Sequence, residues 1–343
     1  MKRDLLPAGL NWYRANLHCH TTLSDGKKTP EQIKDLYLSH GYSVVAFTDH
    51  DRYYCHNDLT DGRFLALNGF ELEYYHTPWR GQTCHVCFIA PTDRTEALGW
   101  SQPGEPIFIR ELPAGGLDPE AGGQLYRVSC PGRKYTPEYI NADIRAAKDM
   151  GFFVTYNHPT WSLEHYPQYS RYEGMDAMEM SNYGCVAGGY DEDDGRVYDD
   201  LLSQGKRLYT IATDDNHNLF PDDGPYTDSA GCWTMIAAGR LDYESVFAAL
   251  RRGDFYCCAR VNPARGDCQQ IKALRLEDDH VHIETTPASN ILLVTDVRPG
   301  TRAIAPADGT ITEADLSLKD AHYFRLVITG PTGNKTYTNA YWR

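Results

Sequence analysis

Short apolar runs of strand length recur along this chain, most of them closing on a residue able to bind a metal, and helix-length stretches separate several of them. No other feature limits the fold as tightly. RANLHCH alternates, so Asn16, His18 and His20 share one face while Leu17 and Cys19 share the other. Thr29-Pro-Glu-Gln32 then matches a capping box with proline at the first helical position, Ile33, Leu36 and Tyr37 supply an apolar stripe, and Gly41 stops the helix. YSVVAFTDHD follows as a strand buried on both faces. FLALNGFE ends at Glu71, CHVCFIA carries His85, GFFVTYNHP ends at His158, DAMEMSN ends near Asn182, and RLYTIATDDNH reaches Asp215 and His217. PEYINADIRAAKDMG and RVYDDLLSQG are helices stopped by Gly151 and Gly205. Such alternation predicts an α/β fold with a parallel sheet closed into a barrel, whose chemistry lies on loops at the carboxyl ends of the strands.

Residues 91–135, rich in Gly and Pro, interrupt this rhythm and read as an insertion beside the site, able to serve as a lid. After LRRGDFYCCARVNPARGD the helical periodicity stops. IKALRLEDD, HVHIETT, NILLVTDV and YFRLVITGPTGNKTYTNAYW read as strands with turn dipeptides between them. Two domains follow: a barrel over 1–264 and a small antiparallel β-sandwich over 265–343.

Charge narrows the partners. Lys and Arg number 33 against 47 Asp and Glu, and the net charge of −14 repels phosphate backbones, so nucleic acid is excluded as a main partner. The first residues, MKRDLLPAGLNWYR, lack the apolar core of a signal peptide, and no run of about 18 apolar residues occurs, which predicts a cytoplasmic protein without a membrane partner. Ten scattered cysteines fit reduced thiols. The single CxxC, Cys84 to Cys87, lies in an apolar strand whose positions three apart face opposite sides, which argues against a zinc knuckle. Nothing in the sequence indicates the oligomeric state.

Nine residues at or just past strand ends form the candidate site: His18, His20, Asp25, His50, Glu71, His85, His158, Asp215 and His217. Imidazole nitrogens and carboxylate oxygens suit zinc, manganese or iron, and nine such groups exceed the needs of one ion, so two or three divalent ions are expected. Glu71 is the expected bridging carboxylate. Asp49 and Asp214 are expected behind the ligands, orienting histidines. Arg133, Lys134, Arg171 and Arg196 are the candidate contacts to an anionic substrate, with His56 a weaker one. His40, His280, His282 and His322 read as ordinary, and the acidic run GYDEDDGRVYDD as a solvated helix start. Tyr53, Tyr54, Tyr74, Tyr75, Trp79 and Trp161 fit a pocket that stacks a ring, or equally aromatic packing over a barrel mouth.

HCHTTLSDG, TDHD, GFE with a later histidine, NHP and TDDNH, in this order, resemble the motif set of the PHP (polymerase and histidinol phosphatase) superfamily of metal-dependent phosphoesterases. ALRRGDFYCC and NKTYTNAYW also resemble its two-domain members. The resemblance implies a distorted seven-stranded β/α barrel. It would place His18, His20, Glu71 and Asp215 around one ion, Glu71, His85 and His158 around a second, and Asp25, His50 and His217 around a third, with Asp25 standing where some members carry histidine. The expected reaction is hydrolysis of a small-molecule phosphate ester by a hydroxide that bridges two ions and is held near Glu71 and Asp215. Two other readings are a carboxyl-ester or amide hydrolase using the same ions, and a catalytically inert protein that binds metal and docks a glycan or partner.

Overall fold

A computed structural model describes residues 2–75, 81–93, 108–111, 125–129, 133–261, 266–298 and 300–343. Most of the 91–135 insertion, His76, Trp79 and the expected boundary at residues 264–265 lie outside them. Seven strands stand side by side in chain order: β1 (Asn11–Asn16), β2 (Val44–Phe47), β3 (Leu65–Tyr75), β4 (Thr83–Ile89), β5 (Phe153–Asn157), β6 (Ala177–Asn182) and β7 (Tyr209–Thr213). β1, β2 and β3 are parallel, as are β5, β6 and β7. β4 runs the other way, antiparallel to both β3 and β5. The sheet is therefore mixed. Reversal follows from the shortness in sequence of the β3–β4 connection, because a parallel neighbour would need a crossover of about a dozen residues or more.

Helices pack on this sheet as the sequence predicts. Thr29 caps α1 (Pro30–Ser39): its Oγ1 accepts from Gln32 N at 3.3 Å while Gln32 Oε1 accepts from Thr29 N at 2.9 Å. Ile33 and Tyr37 are its buried stripe. Each apolar side chain buried this way contributes about 1.5–3 kcal/mol. α2 (Pro137–Asp149) precedes β5, α3 (Gly195–Ser203) precedes β7, and α4 (Tyr243–Arg252) follows β8 (Cys232–Ala238).

A closed seven-stranded ladder is not formed among the described residues. β8 takes the free edge of β1, pairing antiparallel from Thr234 opposite Ala15 to Ala238 opposite Asn11. Its remaining edge pairs with Phe255–Ala259, while the Thr234 side chain reaches β7, Oγ1 accepting from Ala212 N at 3.3 Å and donating to Ala212 O at 3.2 Å. β8, rather than β7, is therefore the strand paired with β1. Only past the strand ends do the two segments meet: Asp215 N donates to His18 O at 3.0 Å and His20 N to Asn216 O at 3.2 Å. That meeting point is where the histidines lie.

β9 (Phe255–Ala259) pairs with β8 and carries the sheet onward. The C-terminal strands are β10 (Ile271–Glu277), β11 (His280–Ala288), β12 (Asn290–Thr295), β13 (Ile311–Ser317), β14 (Tyr323–Thr329) and β15 (Lys335–Thr338). β10, β11 and β13 form a separate antiparallel sheet, with Lys2–Asp4 added at the edge of β10. β12, β14 and β15 continue the large sheet through β9. Leu274, Val281, Ile283 and Leu316 of the one sheet pack with Ile291, Leu293, Phe324 and Ile328 of the other in a single apolar cluster. Among the described residues no helix is long and apolar enough to cross a membrane.

Candidate metal centre

Local turns explain how the sequence delivers these side chains to one rim. Gly26 permits the first: a Cβ there would stand 2.6 Å from the His20 carbonyl oxygen, so any other residue would force the turn apart. Asp49 ties the same turn, accepting from Thr21 N at 2.8 Å, Thr21 Oγ1 at 2.9 Å and Ser24 Oγ at 2.7 Å. Asp25 is thereby turned back toward His217, whose Nε2 lies 3.4 Å from its Oδ2. His158 and Asp215 follow β5 and β7 with φ of 27° and 49°, a left-handed conformation that costs non-glycine residues about 1–3 kcal/mol. The surroundings hold them there: Glu179 Oε2 accepts from His158 N at 2.9 Å, and Asn182 Nδ2 donates to Asp215 Oδ2 at 3.1 Å.

Glu71 is the hub. Its Oε2 lies 3.2 Å from His18 Nε2, His20 Nε2 and His50 Nδ1, while its Oε1 lies 3.0 Å from His85 Nδ1 and 3.5 Å from His158 Nε2. Asp215 Oδ1 lies 3.1 Å from His18 Nε2 and 3.0 Å from His20 Nε2, and those two nitrogens are 3.1 Å apart. Edges of this length belong to a tetrahedron whose centre is about 1.9 Å from each corner, close to the bond lengths of zinc to nitrogen and oxygen. His20, Asp25, His50 and His217 form a second such group, and His50, Glu71 and His85 a third.

Hydrogen bonding alone leaves this arrangement incomplete. Glu71 Oε2, Asp215 Oδ1, His20 Nδ1, His85 Nε2 and His158 Nε2 are buried without a hydrogen-bond partner. Orphaned polar atoms of that kind are costly, and a cation among them would satisfy most of them together. The donor set and its spacing fit divalent ions.

Electrostatics follow the same geometry. Burial opposes charge on His18, His20 and His85, yet the neighbouring carboxylates override it. His18 is raised well above the usual imidazole range by Asp215, Glu71 and Glu179. His20 is raised to about 9 by Asp215 and Glu71, and His85 to about 10 chiefly by Glu71. In return the histidines hold Glu71 and Asp215 far below the usual carboxylate range. His50 differs: burial dominates and lowers it to about 4.

All nine expected residues thus come together, from segments two hundred positions apart, but several supporting expectations change. His85 is not at the carboxyl end of its strand; it sits near the start of β4, which reaches the rim because that strand is reversed. Neither Asp49 nor Asp214 touches a histidine ring. Asp214 accepts instead from Ala230 N, Gly231 N, Cys232 N and the Tyr37 hydroxyl, at 2.7–3.0 Å. The residue that does orient a ring is Glu179, whose Oε1 meets His18 Nδ1 at 2.8 Å and accepts from Thr213 Oγ1 at 2.6 Å. Its sequence signal was a lone carboxylate between Met178 and Met180 in an apolar strand. His56 is buried against Phe47 and Tyr54, away from the site. Glu192 and Asp194 are not a solvated helix start. Both are buried, accepting from Thr160 N, Trp161 N and Thr160 Oγ1 to pin the loop after His158.

None of the four basic candidates lines the cavity over the cluster. Arg133 is held by Asp51 Oδ1 at 2.6 Å and Glu73 O at 2.8 Å, Arg171 pairs with Glu138, Arg196 pairs with Asp200, and Lys134 is exposed. The cavity has a volume of about 460 Å³, with Glu71, His85, His158, Asp215 and His217 in its floor and Trp161, Tyr190 and Phe220 in its walls. Tyr53, Tyr54 and Tyr74 are buried elsewhere, so among the described residues Trp161 alone of the expected ring-stacking side chains lines it.

No protein-family model matches the chain, and no curated protein matches it. Solved structures similar to it at low identity include these three. A two-domain protein from Bacteroides vulgatus ATCC 8482 containing a predicted PHP-like metal-dependent phosphoesterase is 14% identical, with 98% of each chain covered and a TM-score of 0.45. A putative metal-dependent phosphoesterase from Bifidobacterium adolescentis ATCC 15703 is 15% identical, covering 61% of this chain and 90% of its own, at 0.36. An amidohydrolase from Chromobacterium violaceum with bound sulfate is 15% identical, covering 59% and 87%, at 0.38.

Proposed function

We propose that this chain is a metal-dependent phosphoesterase of the PHP type, hydrolysing a phosphate ester of a small molecule in a distorted barrel of strands β1 to β7. One observation carries the reading: the two oxygens of Glu71 face two different sets of imidazoles, three at 3.2 Å from Oε2 and one at 3.0 Å from Oε1. A carboxylate so placed suits a bridge between ions. In this reading His18, His20, Glu71 and Asp215 hold one zinc, manganese or iron ion, Glu71, His85 and His158 a second, and Asp25, His50 and His217 a third.

Bound there, the ions would supply Lewis-acid stabilisation of charge developing on the ester and a lowered pKa for the attacking water. The remaining work falls to the chain's own residues. Glu179 accepts from one ring nitrogen of His18 and so fixes which nitrogen faces the cluster. Asn157 donates to Glu71 Oε1 at 3.2 Å and Asn182 to Asp215 Oδ2, holding both carboxylates in orientation. Trp161 packs edge-on against His85 and His158 and shields that side from bulk water.

A carboxyl-ester or amide substrate is the second reading, favoured by one observation: no Lys or Arg among the described residues lines the cavity to receive a phosphate. Purified protein loaded with zinc or manganese and offered phosphate monoesters and diesters alongside aryl carboxyl esters and amides decides between them. Turnover of phosphate esters that is lost in Glu71→Gln supports the proposal. Turnover confined to carboxyl esters or amides transfers it to the second reading, and no turnover on any of them defeats both.

A further inference from the structure

The walls of the cavity carry information that the metal cluster does not. Among the described residues ten large apolar side chains remain exposed, and five of them, Trp161, Tyr190, Leu219, Phe220 and Tyr226, line this one cavity. Exposed apolar surface concentrated at one place marks a binding surface rather than ordinary surface composition. Phe220 and Tyr226 are 62% exposed or less but sit as a pair, ring centroids 5.9 Å apart, on the loop after His217. Trp161 lines the same cavity from the loop after His158, its ring 5.1 Å from that imidazole. Both loops are fixed from behind. Asp228 Oδ2 accepts from His217 N and Asn218 N at 2.8 Å, and Glu192 Oε2 accepts from Trp161 N at 3.0 Å. Among the described residues the charged part of the lining is anionic apart from its histidines: Asp25, Glu73 and Asp228 border it with no Lys or Arg.

We infer that the cavity selects esters whose organic group is an uncharged aromatic ring, seated between Trp161 and the Phe220–Tyr226 pair, and rejects organic groups carrying further negative charge. The inference rests on the proposed hydrolysis at the cluster, which fixes where the reacting end of the molecule lies. Rings offer a large apolar face at little entropic cost, and aromatic walls add edge and stacking contacts beyond area. Polyanionic esters would place their extra charge beside Glu73 and Asp228, where no Lys or Arg among the described residues lines the cavity.

The test uses the zinc-loaded full chain and three non-hydrolysable probes: benzylphosphonate, methylphosphonate and 4-carboxybenzylphosphonate. Calorimetric titration is expected to show benzylphosphonate binding about tenfold or more tighter than methylphosphonate, with the carboxylated ring weaker than the plain one. Phe220→Ala and Tyr226→Ala should each cut the benzyl-to-methyl ratio about threefold or more while methylphosphonate affinity changes less than twofold. A benzyl-to-methyl ratio within twofold in the wild type overturns the inference. So does an unchanged ratio in both variants accompanied by a lowered Tm, because the rings would then be covering a segment of this chain. The phosphoesterase reading fails separately: if no phosphonate binds and only carboxyl esters turn over, benzyl acetate against ethyl acetate, read as KM, tests the ring preference by the same ratio, and equal KM values overturn it.

Discussion

Metal loading should be an exchange of protons for ions, and the size of that exchange can be worked out. Without metal, His20 at about 9 and His85 at about 10 each keep a proton at pH 7, whereas His50 at about 4 does not. An ion can take only a free ring nitrogen. Filling the cluster therefore displaces about two protons, and each displaced proton makes the apparent affinity rise about tenfold per pH unit. Between pH 7 and pH 8 the logarithm of the overall zinc affinity should climb by about two. Titration calorimetry at pH 7.5 in two buffers of different protonation enthalpy counts the released protons directly, and release of fewer than one per chain would refute the reasoning. Stability of the metal-free protein has the opposite pH dependence. Raised folded-state values contribute stability fully present below the unfolded imidazole value near 6.5 and lost as pH rises through about 9 for His20 and about 10 for His85. At about 1.4 kcal/mol per unit, His20 alone is worth about 3 kcal/mol, and His85, which shares Glu71, does not add independently. Metal-free Tm should fall from pH 6.5 to pH 9.

Other perturbations separate the parts of the account. Glu179→Gln replaces the acceptor of His18 Nδ1 and should weaken metal affinity about 10–100-fold in a competition assay with a chromogenic chelator, and unchanged affinity would show that Glu179 does not position the ring. Gly231→Ala would put a Cβ 2.0 Å from the Tyr183 ring, so it should destabilise by about 1–3 kcal/mol in urea unfolding, and a midpoint unchanged from wild type would contradict the packing. Chelation by EDTA should lower Tm by about 4 °C: ions at a hundredfold their dissociation constant are worth about 2.7 kcal/mol, and a chain of 343 residues has an unfolding entropy of about 0.7 kcal/mol/K. No shift on chelation would mean that the fold does not depend on bound ions.

The parts of this molecule that the sequence makes legible are those where a period meets a polar end. His18 and His20 share a face because the segment alternates, and His50, His158, Asp215 and His217 stand out because polar groups follow apolar runs. α1 was readable to its capping box, since Thr29, Pro30 and Gln32 act within one turn. Strand direction was not readable: CHVCFIA looks the same in either sense, and only its pairing with β3 and β5 reverses it and brings His85 to the rim from the other end. The pairing at the edge of β1 is not readable for a related reason, because nothing local to CWTMIAA says that it takes that edge. Glu192 and Asp194 look solvated in a run of acids, yet they are buried beneath the loop at Thr160 and Trp161, a contact made 30 residues away. Leu219, Phe220 and Tyr226 sit on a loop without periodicity, so their gathering at the cavity mouth is visible only in three dimensions.

Metal stoichiometry tests the central claim most directly. Protein reconstituted with excess zinc or manganese, desalted and analysed by inductively coupled plasma mass spectrometry, should retain two or three ions per chain, and Glu71→Gln should retain at least one fewer while its circular dichroism matches the wild type. Wild-type protein that keeps less than one ion per chain, or a Glu71→Gln variant that keeps as many as the wild type, would contradict a cluster organised around that carboxylate.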